Sequence, residues 1–290
     1  MEIMKPLIST HSLAKILKER VSTPIIIVLD ASWHNPLTKR NPLEEYRQQH
    51  IPNAGFFDTN ECSDKSSPYS VMLPSCETFE EYVGQLGIDN DTHVVVYDTY
   101  NGFRISSRAW WMFRVFGHER VSVLEGGLTK WISDGYQVTS TLPTVAEKKF
   151  KATLNSSLKV EFEEIYALMK GGKADQLMDS RPRDWFYGMD YPENEKWKSW
   201  HIPGSINIPW TEFLNDDKLT VKSREELLAL FERNQIDLSS PIKSTCRRGI
   251  YACAAALAAF VAGREDVPVY DGSWEEFSCR AKREDYMTDA

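Results

Sequence analysis

One cysteine of this sequence stands where an α/β protein would place a nucleophile. Cys246 follows residues 241–245, which predict a strand, and precedes the alanine-rich run 253–262, which predicts a buried helix. Ligands of parallel α/β sheets bind at the carboxyl ends of the strands, so Cys246 would lie at that edge. The free N–H groups and the dipole at the start of the helix would stabilise a thiolate or a bound anion there.

Three residues between Cys246 and this helix favour the same chemistry. Arg247 and Arg248 add positive charge, and Gly249 permits a tight backbone turn. Most lone cysteines are small core residues, but these neighbours favour a nucleophilic thiolate at Cys246. Two arginines suit a dianionic ligand better than a neutral one, so we expect this loop to bind the substrate.

The composition argues against several classes of protein. The net charge of −8 offers no broad basic surface to nucleic acid or to an acidic membrane, and no apolar run reaches the ~18 residues of a membrane span. The five cysteines are odd in number and none forms a Cys-x-x-Cys pair, which argues against a disulfide framework or a metal cage. We therefore expect reduced thiols and no metal ion, in the cytosol or an organelle matrix such as that of mitochondria.

Four landmarks occur twice in the chain, in the same order and at a nearly constant offset. This duplication indicates two repeats of one α/β domain, and alternating strand-like and helical patterns predict a mostly parallel sheet flanked by helices in each. We predict a first domain over 1–140, a linker over 141–158 and a second domain over 159–290. The paired landmarks are Asp30 with Asp179, His50-Ile51-Pro52 with His201-Ile202-Pro203, Asp98 with Cys246, and Gly126 with Gly272.

Two helices are predicted from local patterns. Apolar residues spaced near 3.6 residues apart predict a helix between Ile105 and Phe116. Ser223 followed by Glu226 is a capping-box pattern, which predicts the start of another helix in the second repeat.

The region around Cys246 resembles the active-site region of the tandem rhodanese family. The resemblance implies two tandem rhodanese-like domains and a ping-pong sulfurtransferase that needs no cofactor. The Cys246 thiolate would take the outer sulfur of thiosulfate, release sulfite, and pass the sulfur from a persulfide to cyanide or a thiol. The similar stretches are residues 244–253 (STCRRGIYAC) and 269–274 (VYDGSW), with 62–69, 92–98 and 108–114 in the first half.

The resemblance also implies roles for residues outside the loop. Asp98 occupies the position of Cys246 in the first domain, where a carboxylate cannot accept sulfur, so we expect that domain to be catalytically silent. Asp179 is expected to end its strand near the loop, pair with Arg247 and orient the loop. The partners would be a small-molecule sulfur donor and an acceptor, and we expect a monomer that binds neither nucleic acid nor membranes.

Two positions near the predicted donor site depart from the family pattern. The family has an arginine six residues after Asp179, and this chain has Trp185 there. Arg183 could reach the same space, and we expect it to bind the donor. The last loop residue, usually threonine, is Tyr251, whose ring would narrow the pocket while its hydroxyl replaces the lost donor.

Other functions are compatible with the sequence. A 3-mercaptopyruvate sulfurtransferase is one alternative, although the acid and the histidine that assist that branch align with Asn60 and Val71, which cannot do so. A catalytically weakened binding module is another, because of the two departures just named. A phosphatase of the Cys-x5-Arg type is disfavoured, since the sixth residue after Cys246 is Ala252.

Overall fold

The chain forms two compact units in the computed structural model, which describes residues 5–19, 25–35, 38–100, 103–171, 176–189 and 200–286. Each unit consists mainly of one half of the sequence, with a short segment taken from the other half. No helix within the described ranges is long and apolar enough to cross a membrane. The first unit comprises Met1–Lys65, Leu73–Asn155 and Asn215–Val221, and the second comprises Ser66–Met72, Ser156–Leu214 and Lys222–Ala290.

The first unit has a five-stranded sheet in the order β1-β5-β4-β2-β3, and every pair in it is parallel. All five residues of the central strand are buried, as expected for a strand covered on both faces. The strands are β1 (Leu7–Ile8), β2 (Ile26–Asp30), β3 (Gly55–Phe56), β4 (His93–Tyr97) and β5 (Val121–Leu124). The helices are α1 (Thr10–Glu19), α2 (Pro42–Gln48), α3 (Cys76–Gln85), α4 (Ser106–Val115) and α5 (Gly127–Ser133).

The second unit repeats this sheet strand for strand, in the order β6-β10-β9-β7-β8. The predicted duplication and the parallel α/β fold are therefore confirmed. The strands are β6 (Lys159–Val160), β7 (Gln176–Asp179), β8 (Ile206–Asn207), β9 (Ile242–Thr245) and β10 (Val269–Tyr270). The helices are α6 (Phe162–Gly171), α7 (Arg183–Phe186), α8 (Arg224–Arg233), α9 (Tyr251–Ala262), α10 (Ser273–Arg280) and α11 (Arg283–Tyr286).

Three helices form as their local sequences predict. Every residue of α4 is buried, which fits its apolar spacing. Helix α8 begins with the complete capping box of Ser223 and Glu226, in which each side chain accepts the other's backbone N–H. Helix α9 is buried along almost its whole length, because its small alanine side chains permit close packing against the sheet.

Most of the segment predicted as a linker packs as part of the first unit, which extends to Asn155. The Lys148 N–H donates to the Gly84 carbonyl (3.0 Å), and the Thr153 N–H donates to the Phe116 carbonyl (3.0 Å). Phe150 is buried in the same stretch and stacks edge-on against a phenylalanine of α3. The lack of a helical or strand period in this segment therefore reflects an extended chain held on the surface of the domain.

Candidate active site

Cys246 lies directly after the central strand β9, at the carboxyl end of the second sheet. Only 1% of the residue is exposed. The loop from Cys246 to Ile250 then joins β9 to the amino end of α9. Gly249 has a φ of 69°, a left-handed conformation that glycine adopts without steric cost. The strand, the loop and the helix are thus arranged as the sequence predicts, with the cysteine facing the start of a helix.

The hydroxyl of Ser273 holds the loop from the side of the neighbouring strand β10. Its Oγ accepts the N–H groups of Cys246 (3.1 Å) and Gly249 (3.0 Å) and donates to the Tyr270 carbonyl (2.7 Å). Ser273 is fully buried and has a φ of 50°, which is unusual for a residue with a side chain. Such strained residues occur where the surroundings fix them, often at functional sites.

The backbone of α10 completes the attachment of the loop. The Trp274 N–H donates to the Cys246 carbonyl (3.1 Å), and the Glu275 N–H donates to the Arg247 carbonyl (2.9 Å). Two N–H groups of the loop, those of Arg248 and Ile250, have no acceptor among the described residues. The loop is therefore held rigidly while part of its N–H donors stays available to a ligand.

The equivalent loop of the first unit shows what such donors bind. Asp98 follows β4 as Cys246 follows β9, and its buried carboxylate accepts the N–H groups of Tyr100 (2.9 Å), Ile105 (3.0 Å) and Ser106 (2.7 Å). Burial raises the pKa of Asp98, and the hydrogen bonds from Ser106 and Ile105 oppose that rise. The Asp98 side chain thus occupies the cradle with its own oxygens, which leaves no room for a substrate anion.

The two loops resemble each other at both ends, although the first is three residues longer. Tyr100 comes two residues after Asp98, as Arg248 does after Cys246, and both helices are preceded by an isoleucine. The Leu128 N–H donates to the Asp98 carbonyl (3.0 Å), as the Trp274 N–H does to that of Cys246. Because the thiol at position 246 is shorter than a carboxylate and carries no oxygens, the second cradle can accept an anionic atom bound to that sulfur.

Both loop arginines are largely buried. The guanidinium carbon of Arg247 lies 5.5 Å from the centroid of the Trp185 ring, within the range of a cation–π contact. The Arg248 side chain is 17% exposed, and its Nε lies 3.5 Å from Oε2 of Glu275. Trp185, which replaces the family's arginine, therefore packs near one of the remaining arginines.

Asp179 ends β7 in a fully buried ion pair, but its partner differs from the predicted one. Its two carboxylate oxygens accept Nε (3.1 and 3.0 Å) and Nη2 (2.6 Å) of Arg181. The pairing predicted with Arg247 is thus wrong, because Arg181 lies only two residues further on and folds back onto the carboxylate. The Ser180 N–H also donates to the Thr245 carbonyl (3.1 Å), which joins this end of β7 to the residue before Cys246. The Asp179–Arg181 ion pair therefore stabilises the strand end beside Cys246.

The two remaining predicted residues are the first residues of two helices, the short α7 and the longer α9. Arg183 in α7 is half exposed and forms an ion pair with Glu212. Donor binding by Arg183 would require this pair to open, and it stays a prediction. Tyr251 is the first residue of α9, and its ring lies 6.1 Å from that of Trp210.

Asp30 is the counterpart of Asp179 in the first unit, but no arginine stands two residues after it. The residue two positions on is Ser32, whose N–H donates to Oδ1 of Asp30 (2.9 Å). Burial raises the pKa of Asp30 to about 7, against the hydrogen bonds from Ser32. Asp179 is therefore neutralised by an arginine, whereas Asp30 forms no ion pair with any residue that the structure describes.

We expect Asp30→Asn to remove a pH-dependent loss of stability from the first unit. An aspartate that titrates near 3.9 when unfolded and about 7 when folded lowers the free energy of unfolding between those values, by up to about 4 kcal/mol above pH 7. Unfolding of both proteins should be measured by urea at pH 5 and pH 8. The variant should be more stable than the wild type at pH 8 by more than at pH 5, and an equal difference would contradict the expectation.

Fold and loop together define a duplicated parallel α/β protein with two arginines and backbone N–H donors beside a buried cysteine of its second half. The model of the rhodanese-like domain matches residues 13–134 and again residues 161–279. The chain belongs to the rhodanese family and carries its domain twice, so the predicted resemblance is confirmed.

Several known proteins are similar over nearly the whole chain. Thiosulfate sulfurtransferase of Bos taurus is 46% identical, with 99% of this chain and 96% of that protein covered. The 3-mercaptopyruvate sulfurtransferase of Homo sapiens is 39% identical, with 99% and 97% covered. The crystal structure of SseA from Escherichia coli, described as a 3-mercaptopyruvate sulfotransferase, has a TM-score of 0.83 at 33% identity and covers 93% of this chain and 99% of its own.

Sequence reasoning missed two residues that shape the loop, Ser273 and Glu275. Both follow the repeated glycine landmark, where the first unit has Gly127 and Thr129. This difference between the repeats is visible in the sequence. The sequence does not show that these residues contact the loop, because that contact depends on the parallel pairing of β9 with β10, which brings α10 beside the loop.

Proposed function

We propose that this protein is a thiosulfate sulfurtransferase that carries sulfur as a persulfide on Cys246. The observation that carries the proposal is the loop around Cys246, which combines two arginines with N–H groups available to an anion. In the first unit the same cradle holds a carboxylate. The name and 46% identity of the bovine relative support the same donor.

The reaction follows from what the loop can stabilise. The Cys246 thiolate attacks the outer sulfur of thiosulfate, the S–S bond breaks, and its electron pair leaves with sulfite. The terminal sulfur of the resulting persulfide is anionic, and in this proposal the N–H groups of Arg248 and Ile250 donate hydrogen bonds to it. Arg247 and Arg248 balance the charge of the sulfonate end. A thiolate or cyanide then attacks the terminal sulfur and restores the Cys246 thiolate.

Thiosulfate is a better candidate donor than 3-mercaptopyruvate. The acid and histidine expected for the mercaptopyruvate branch are absent at the aligned positions. Asn60 instead accepts the indole N–H of Trp33 through Oδ1 (2.9 Å), and Val71 is a buried apolar residue. Neither side chain can donate or accept a proton as a general acid or base. The identity of 39% to the human 3-mercaptopyruvate enzyme keeps that donor as the second candidate.

A mass measurement tests the proposal directly. Incubation of the protein with thiosulfate should add the mass of one sulfur atom, and peptide mapping should place it on Cys246. Cyanide should then remove the added mass. Mercaptopyruvate, tested in parallel, should react more slowly. A folded protein that gains no sulfur from either donor would contradict the proposal and favour a binding module of the same fold.

We further propose small-molecule partners and a reducing compartment. A cellular thiol or cyanide would collect the sulfur, and the protein would act as a monomer in the cytosol or the mitochondrial matrix. All five cysteines are free in the structure, and Cys279 is exposed, which fits a compartment that keeps thiols reduced.

A further inference from the structure

A buried carboxylate lies beside the active-site loop and has no part in the mechanism above. Oε2 of Glu275 lies 3.5 Å from Nε of Arg248, and the side chain of Glu275 is only 5% exposed. A buried charge is costly unless a partner compensates for it. Arg248 therefore supplies part of this compensation, and its charge is in turn partly neutralised.

Glu275 is held in place from two other directions. The N–H and the Oγ of Ser70 donate to its two carboxylate oxygens at 3.2 and 2.9 Å. Its own N–H donates to the Arg247 carbonyl at 2.9 Å. Ser70 belongs to the same compact unit as Glu275. The carboxylate is therefore fixed beside Arg248 by hydrogen bonds that do not involve Arg248.

The rhodanese-like fold does not need a carboxylate at this position. The first unit places Thr129 there, one residue after the N–H that binds the loop carbonyl. The adjacent Glu276 has an ordinary structural role, since its Oε1 accepts Nη1 of Arg280 at 2.6 Å. Glu275 is thus the one of this pair that acts on the substrate loop.

We propose that Glu275 is a positioning residue that determines which charge of sulfur donor the site prefers. It forms an ion pair with Arg248 at 3.5 Å and partly offsets one of the loop's two positive charges, while Trp185 supplies no third one. The site then disfavours the second negative charge of thiosulfate relative to a monoanionic thiosulfonate, R–SO2–S⁻. The inference rests on the proposed function, because it assumes that Cys246 takes sulfur from such donors.

Both donors react by the same balanced step, so their comparison isolates charge. The Cys246 thiolate attacks the terminal sulfur and the bond to the oxidised sulfur breaks. Its electron pair leaves with sulfite from thiosulfate, or with a sulfinate from a thiosulfonate. Each reaction leaves the same persulfide on Cys246, and only the charge of the donor and leaving group differs.

The test compares kcat/KM for thiosulfate and methanethiosulfonate in the wild type and in Glu275→Gln. Glu275→Gln removes one negative charge near the donor. The ratio of kcat/KM for thiosulfate to kcat/KM for methanethiosulfonate should therefore rise by about fivefold, mainly because the KM for thiosulfate falls. Added salt should reduce this difference between the two proteins, because it screens the charges. Glu275→Thr, which copies the residue of the first unit, should act in the same direction if the glutamine variant folds poorly.

Glu276→Gln is the matched control, since it removes the neighbouring carboxylate that pairs with Arg280. It should leave the donor ratio unchanged, although it costs stability. An unchanged ratio in Glu275→Gln and Glu275→Thr, with persulfide still formed, would overturn the role of Glu275 alone. A wild-type protein that forms no persulfide with either donor would instead refute the proposed function.

Discussion

Cys246→Ser is expected to abolish sulfur transfer while leaving the fold intact. A serine hydroxyl is not ionised at neutral pH, and its oxygen cannot carry a transferable sulfur as a persulfide does. Loss of the nucleophile from a covalent mechanism lowers turnover by at least about 10⁴-fold. The backbone of the loop is held by Ser273 and α10, so the replacement should not collapse it. Turnover of thiosulfate with cyanide as acceptor measures the effect.

Cys253→Ser is the matched control for this prediction. Cys253 is also buried, and its Sγ donates to the Gly249 carbonyl at 3.0 Å. A serine hydroxyl can make the same hydrogen bond, so we expect the activity to fall by less than tenfold. Comparable losses in the two variants would mean that the nucleophile is not specifically Cys246.

Asp179→Asn should strongly destabilise the second unit. The variant leaves the Arg181 guanidinium buried without its counter-charge, and breaking such a pair costs about 3–5 kcal/mol. Other contacts of Arg181 include a hydrogen bond to the Trp200 carbonyl (2.9 Å) and the rings of Phe186 (5.8 Å) and Trp274 (5.4 Å), none of which carries a negative charge. Urea unfolding at pH 7 gives the loss, and amide exchange in β7 and β9 shows whether it lies in the second unit.

Two other aspartates set the scale for this effect. Asp89→Asn removes a partly exposed pair with Lys148 (2.7 Å) and should cost less than about 1 kcal/mol. Asp30→Asn, at the matching strand end of the first unit, should stabilise the protein at pH 8, because Asp30 is buried and pairs with no cation among the described residues. If Asp179→Asn cost no more than Asp89→Asn, the buried pair would not be a determinant of stability.

The fold and the position of Cys246 at the end of a strand could be predicted because their signals are local in the sequence. The landmarks around Asp98 and Cys246 repeat in order, and the strand, loop and helix around Cys246 are contiguous. Gly249 and the two arginines lie in the same short stretch, so their proximity to the cysteine follows from chain connectivity alone. Asp98 likewise marked the first loop as different, because its chemistry is visible in its residue type.

Tertiary structure decided the partners of these residues, since strands distant in sequence meet only in the sheet. The sequence alone could not show that Arg181 rather than Arg247 neutralises Asp179. Arg181 is close to Asp179 along the chain, and the pairing of β7 with β9 brings Arg247 close to it as well. Ser273 and Glu275 reach the loop only because β10 lies beside β9. Hydrogen bonds and ion pairs depend on differences of an ångström or less, which a pattern of residue types does not contain. Sequence thus determined the duplicated sheet and its cysteine, and packing determined which charges and donors surround the sulfur.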